Sequence, residues 1–207
     1  LAVGQPGMAY LPTSLAVRAR ELLVGGRTLH NVVVGGSRDG QLWRANLDAT
    51  ELSGYVEYRQ STGPTAGRVY ARLARLVIGQ STAQDVENLL DEQPTSIPAL
   101  DVVVEDMELR GKRLGRVEID AVNLAAGASV RDVAREWRLN RFNIITPEAV
   151  LTASGNWTHI APVATTPSNR SIKERRRTAL NFKLDIADAG DVLSRFGMTG
   201  VVRRGKG

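Results

Sequence analysis

The chain has no cysteine, which excludes disulfides and thiolate metal sites and leaves its core to apolar packing alone. Histidine is nearly absent too. His30 and His159 each lack a second histidine or a carboxylate at metal-ligand spacing, and both read as isolated surface residues. No apolar run approaches the roughly 18 residues that a membrane-crossing helix needs, and no signal peptide is evident. There is no nucleophile elbow, no zinc-protease helix and no phosphate loop, and Gly205-Lys206-Gly207 lacks the glycine spacing and the hydroxyl residue of the last. Acidic side chains are scattered, apart from Asp85, Glu87, Asp91 and Glu92, which a solvated helix face explains. These absences point away from an enzyme and imply neither cofactor nor metal.

What is present is an ordinary globular balance, 43% hydrophobic and 24% charged residues in a chain of 207. The net charge of +5 is unevenly placed: residues 168–207 hold ten Lys and Arg against four Asp and Glu, whereas residues 1–167 are close to neutral. Nucleic-acid binding needs basic charge tracking along a surface, so a basic tail alone does not imply it. Opening on Leu1 and closing on a basic stub, the sequence reads as a segment of a longer chain.

Period-two alternation dominates. Leu180, Phe182, Leu184 and Ile186 take turns with Asn181, Lys183 and Asp185, as in a strand with one dry and one wet face; Leu151 to Trp157 and Val117 to Ala121 do the same. Between Trp137, Leu139 and Phe142, Ile144 the parity slips by one, which predicts a β-bulge near Asn140 and Arg141 that curves the sheet. Gly25-Gly26, Gly35-Gly36 and Gly111 are read as hairpin turns. Two short helices are predicted, at Ser81 to Glu92 before Pro94 and at Asp188 to Phe196 before Gly197.

A repeat underlies the pattern. Leu15, Val17, Leu22, Val24, Gly26, Leu29, Val32 and Val34 recur 85 residues later as Leu100, Val102, Met107, Leu109, Gly111, Leu114, Val117 and Ile119. Trp43-Arg44 is echoed by Trp137-Arg138, and Ser53-Gly54 by Ser154-Gly155. The expected organisation is a first β repeat unit at 1–80, a helix and linker at 81–97, and a second β unit at 98–207 with its short helix at 188–196.

The run from Pro98-Ala99-Leu100-Asp101-Val102 through Glu105 to Gly115 resembles the repeat opening of the AsmA-like, YhdP-type bridge-like lipid-transfer family. So do Glu136 to Leu139, the strand Ala153 to Trp157, and the block from Arg177 to Gly197. The resemblance implies a long periplasmic protein, anchored in the inner membrane outside this segment, whose sheet curls into an apolar groove that conducts phospholipid between inner and outer membranes. Its partners would be phospholipid acyl chains and the two membranes, not nucleic acid.

The fold expected is therefore mainly β: a strongly curved antiparallel sheet forming an open groove, with two short helices. Val102, Val104, Val117, Ile119, Leu139, Leu151, Ala153, Leu180, Phe182 and Leu184 are the expected groove lining. Arg175, Arg176 and Arg177 are candidates for contact with anionic headgroups, within a stretch, 162–176, read as a mobile loop. The rival reading is a closed β-sandwich serving as a structural or protein-binding module.

Overall fold

The computed structural model describes residues 13–24, 27–62, 66–79, 97–125, 135–160 and 175–202; for Ala125, Arg135, His159, Ile160 and Arg175 to Arg177 it describes the backbone alone. The predicted helix at 81–92, with its acidic face, and residues 162–174 lie outside the described residues.

Ten strands follow one another in chain order across a single sheet: β1 (Ser14–Val24), β2 (Arg27–Asp39), β3 (Leu42–Asp48), β4 (Leu52–Arg59), β5 (Arg68–Ile78), β6 (Ala99–Leu109), β7 (Lys112–Ala125), β8 (Arg135–Ile145), β9 (Ala149–Ile160) and β10 (Arg175–Ile186). The sheet does not close, so β1 and β10 are its edges. Eight of the nine pairings are antiparallel, but β5 and β6 run parallel. The sheet is mainly antiparallel, as expected, and the single parallel junction is what the alternation does not give. A parallel pair needs a connection that returns the chain along the strand length, and the sequence between β5 and β6 is residues 79–98. The parallel pair separates two five-strand antiparallel meanders, β1–β5 and β6–β10.

Two sequence readings are corrected. Gly35 and Gly36 lie within β2; the turn comes at Gly40, with φ +56°. A Cβ on Gly36 would come within 2.8 Å of the Arg44 carbonyl oxygen, so this glycine serves close strand approach and not a turn. Arg175 and Arg176, read as the end of a loop at 162–176, belong to β10 and pair with Ile160 and His159.

The bulge expected near Asn140 is present. Ala121 pairs with Leu139 and Asp120 with Arg141, leaving Asn140 as the extra residue. Similar three-residue steps occur at Leu73 to Leu76 in β5 and Val104 to Met107 in β6, both beside register shifts. Each bulge bends and twists its strand. The eight buried hydrophobic residues among those described (Val32, Val34, Ala49, Ala71, Leu73, Val104, Val117 and Ala121) all belong to the apolar side, and no polar side chain among the described residues is buried. Side chains on the inside of a bend crowd together and those outside splay apart. The apolar side is therefore the concave one.

The helix α1 (Ala189–Arg195) forms where the sequence predicts it. Asp188 caps it, its carboxylate accepting from the Gly190 and Asp191 amides, and Gly197, at φ +85°, ends it. Glu148, in the β8–β9 turn, holds the helix down: its carbonyl accepts from Ala187 N at 2.8 Å and its carboxylate binds Arg195, whose Nη1 also reaches the Arg113 carbonyl.

Gly54, at φ +143°, sits where β4 meets the bulge of β5, and a Cβ there would run into the Arg72 carbonyl and the Leu73 Cα. Gly54→Ala is expected to lose roughly 2–3 kcal/mol in urea denaturation. Gly35→Ala, with open space around the Cβ, is expected to stay within about 0.5 kcal/mol.

Candidate functional site

Residues directly opposite on neighbouring strands share a face of the sheet, so the register can be followed from edge to edge. Starting at Leu15, the partners run Gly36, Ala45, Val56, Ala71, Val102, Ile119, Phe142, Ala153 and Phe182. This row crosses all ten strands without a polar side chain. The next, from Val17, runs Val34, Leu47, Gly54, Leu73, Val104, Val117, Ile144, Leu151 and Leu184, and is equally unbroken. On the other side of the first row lies a third: Trp43, Tyr58, Val69, Leu100, Ala121, Leu139, Gly155 and Leu180, ending at Arg38 on β2.

All ten residues expected to line a groove fall in these three adjacent rows. Val102, Ile119, Ala153 and Phe182 are in the first, Val104, Val117, Leu151 and Leu184 in the second, and Leu139 and Leu180 in the third. Sequence reasoning missed the contribution of β1–β5, and Phe142 and Ile144 of β8. The signal was available for β8, since the bulge inferred at Asn140 places both on the apolar face.

Exposure grades along this face. Val32 on β2, Val104 on β6 and Val117 on β7 are 1% exposed, whereas Leu15 on the edge strand β1 is 43% exposed and Leu180, Phe182 and Leu184 on the edge strand β10 are 59%, 79% and 48% exposed. The two apolar clusters join only neighbouring strands, one across β1–β3 and the other across β4–β6. Among the described residues, no second layer covers the face.

The opposite face is wet. Its matching row runs Ala16, Gly35, Asn46, Tyr55, Arg72, Val103, Glu118, Asn143, Thr152 and Lys183. Arg72 binds Asp101 at 2.7 Å, and Glu118 accepts from Arg116 at 2.9 Å and Asn143 at 3.1 Å. The Arg116 hydrogen bond holds the Glu118 carboxyl below the usual carboxylate range. Exposed pairs of this kind contribute at most about 1 kcal/mol each. They keep the convex side solvated and leave the concave side as the candidate site.

No group of three or more metal-ligating side chains occurs among the described residues. His30 is not isolated, contrary to its sequence reading. Its Nδ1 lies 2.6 Å from Glu51 Oε1, and its amide donates to Glu51 Oε2 at 2.9 Å. The two residues are 21 apart and meet only because the β3–β4 turn folds against β2. This pair links strands and lies at their ends, away from the three rows. Of the guanidiniums of Arg175 to Arg177 nothing is described.

An open, curved sheet with one continuous apolar face and, among the described residues, no convergent polar constellation is the architecture of a β-groove segment. The family model described as YhdP protein matches residues 3–207, and the chain belongs to the YhdP family of cell-envelope proteins. No curated protein and no solved structure matches the chain. Among the described residues, no helix is long and apolar enough to cross a membrane.

The Glu51 hydrogen bond raises the His30 pKa above 6.5, and the hydrogen bonds from His30 hold the Glu51 carboxyl below 4.5 against the opposing effect of its burial. A raised histidine contributes stability fully below its unfolded pKa and loses it as pH rises through the folded value; a lowered carboxylate contributes above its unfolded pKa and loses it as pH falls. The coupling between His30→Asn and Glu51→Gln in a double-mutant cycle is therefore expected to be largest between pH 4.5 and 6.5 and to shrink on either side, as read from thermal melts.

Proposed function

We propose that this chain is a section of a bridge-like lipid-transfer protein, in which the concave apolar face carries phospholipid acyl chains through the periplasm between inner and outer membranes. The observation that supports it most is the pair of apolar rows spanning all ten strands without interruption. A binding pocket for one small molecule needs a few convergent polar groups; a conduit for a hydrocarbon chain needs the reverse. Each buried methylene gains about 0.8 kcal/mol whatever its position along the surface, so a chain can move along the rows without a large barrier at any one residue. The protein has no catalytic role in this reading. The two five-strand meanders are two copies of one unit, joined at the parallel pair, so that the rows of one continue into the other.

The ten lining residues keep their proposed role, with Phe142 and Ile144 added. A headgroup role for Arg175, Arg176 and Arg177 remains part of the proposal and rests on charge alone.

The test exploits the gradient of burial. Ile119 and Ala153 are only partly buried on the concave face, where an open groove can hydrate a charge. Ile119→Asp and Ala153→Asp are expected to leave the circular-dichroism melt of the segment nearly unchanged and to block lipid passage in the full-length protein. Val104→Asp, at a fully buried position, is expected to cost several kcal/mol and unfold it. Unfolding by all three would favour a closed core, and folded variants with normal transport would remove these residues from the conduit.

A further inference from the structure

The apolar face is not uniform along the strands, and its asymmetry bears on how a lipid would lie on it. All 3 tryptophans of the chain are on this face, and all sit at the same strand ends. Trp43 on β3 pairs with Tyr58 on β4, and Trp137 on β8 pairs with Trp157 on β9. In each meander, then, the third strand's tryptophan faces an aromatic on the fourth. The opposite ends of the strands carry aliphatic or small residues on this face, such as Leu52 on β4, Leu76 on β5, Met107 on β6, Ile144 on β8 and Leu151 on β9, and the phenylalanines Phe142 and Phe182 lie in the row between. Trp and Tyr have an apolar body and a polar edge, and they collect where hydrocarbon meets headgroup.

The aromatic end also holds a built feature. Beside Trp43 lies a pocket of about 170 Å³ whose floor includes Gly36, Ala45 and Val56. Arg38 also lines it: its guanidinium lies over the Trp43 ring, 5.3 Å from the centroid, while its Nε donates to the Gly40 carbonyl at 2.9 Å. A cation fixed by an aromatic face above an apolar depression matches the two halves of an anionic amphiphile.

Length agrees with this polarity. From Tyr58 through Val56 and Gly54 to Leu52 is three steps of two residues along β4, about 20 Å. One leaflet of acyl chains is about 15 Å deep. A chain lying along the strands would thus end over the aliphatic rows with its headgroup at the aromatic end.

We infer that the strand ends bearing Trp43, Tyr58, Trp137 and Trp157 form the headgroup rim of the groove, with phospholipid lying along the strands, its phosphate at this rim and, beside Trp43, held by Arg38. The inference rests on the lipid-carrying reading above and adds the orientation of the cargo.

The full chain with Trp137→Phe and Trp157→Phe retains Trp43 as its sole tryptophan. It would be loaded with phosphatidylglycerol brominated near either the carbonyl end or the methyl end of one acyl chain. Carbonyl-end bromine is expected to cause the greater loss of Trp43 emission. Arg38→Gln is expected to weaken phosphatidylglycerol binding about tenfold and to leave the binding of uncharged dodecyl maltoside unchanged. Equal or reversed quenching, with lipid bound, overturns the rim while leaving lipid carriage intact. Equal weakening of both amphiphiles overturns the role of Arg38, and should that variant unfold, the quenching comparison with Arg38 in place still decides the orientation. Absence of bound lipid in an organic extract of the loaded protein overturns both readings.

Discussion

Everything in this structure depends on keeping one parity across nine strand junctions. A β-strand shows alternate residues to opposite faces, so a one-residue slip at any pairing would turn an apolar row into a polar one from that strand onward. The rows through Leu15 and Val17 survive all nine pairings, including the parallel one between β5 and β6. Where a strand's own alternation breaks, as at Asn140, the extra residue is absorbed as a bulge and the parity resumes on the correct face. The bulges therefore have two effects at once: they restore the apolar face and they bend the sheet toward it.

Bending explains how a single layer can bury anything. A flat sheet without a covering layer would expose every apolar side chain on its dry face, yet Val32, Val104 and Val117 are almost fully enclosed. Small and β-branched residues occupy the crowded middle, while the larger Leu180, Phe182 and Leu184 stand open on β10. An edge strand with exposed apolar side chains and unpaired backbone groups is an association hazard unless something continues or covers it. The same pairing that joins β5 to β6 in parallel shows how such an edge can be continued without disturbing the rows.

Much of this architecture was legible in the residues because it follows from period two. The alternation in Leu180 to Ile186 and the slip between Leu139 and Phe142 identify the dry face and the bulge directly. Trp43 and Trp137 both lie on the third strand of a five-strand meander, facing Tyr58 and Trp157, although Trp43 is in the row of Leu139 and Trp137 one row further on. The Ser-Gly landmark was less exact. Gly54 lies in the row of Leu47 and Leu73, whereas Gly155 lies in the row of Leu139, so the two fall on matching strands at different heights. What the residues did not show was long-range: the parallel junction, the interior position of Gly35 and Gly36, and the meeting of His30 with Glu51. Periodicity is a local signal, and each of those depends on which strands become neighbours.

The site itself was legible for a different reason. A catalytic centre is a convergence of few residues from distant positions, which one sequence rarely reveals; a conduit surface is one property repeated along every strand, so local alternation carries most of it. The second half of the chain was enough to pick out ten residues that share one apolar face, and register extends the same face through β1–β5 without any new chemistry. The information that local alternation lacks is the order of residues along each row and between its two ends. That order appears only when Trp43 and Trp137 are seen at the same strand ends, opposite Leu52 and Met107. A surface of uniform apolarity could hold a hydrocarbon chain in any direction. Polarity from one end of the strands to the other gives an amphiphile a preferred direction, because turning it around would set a headgroup against aliphatic side chains and an acyl chain against a cation.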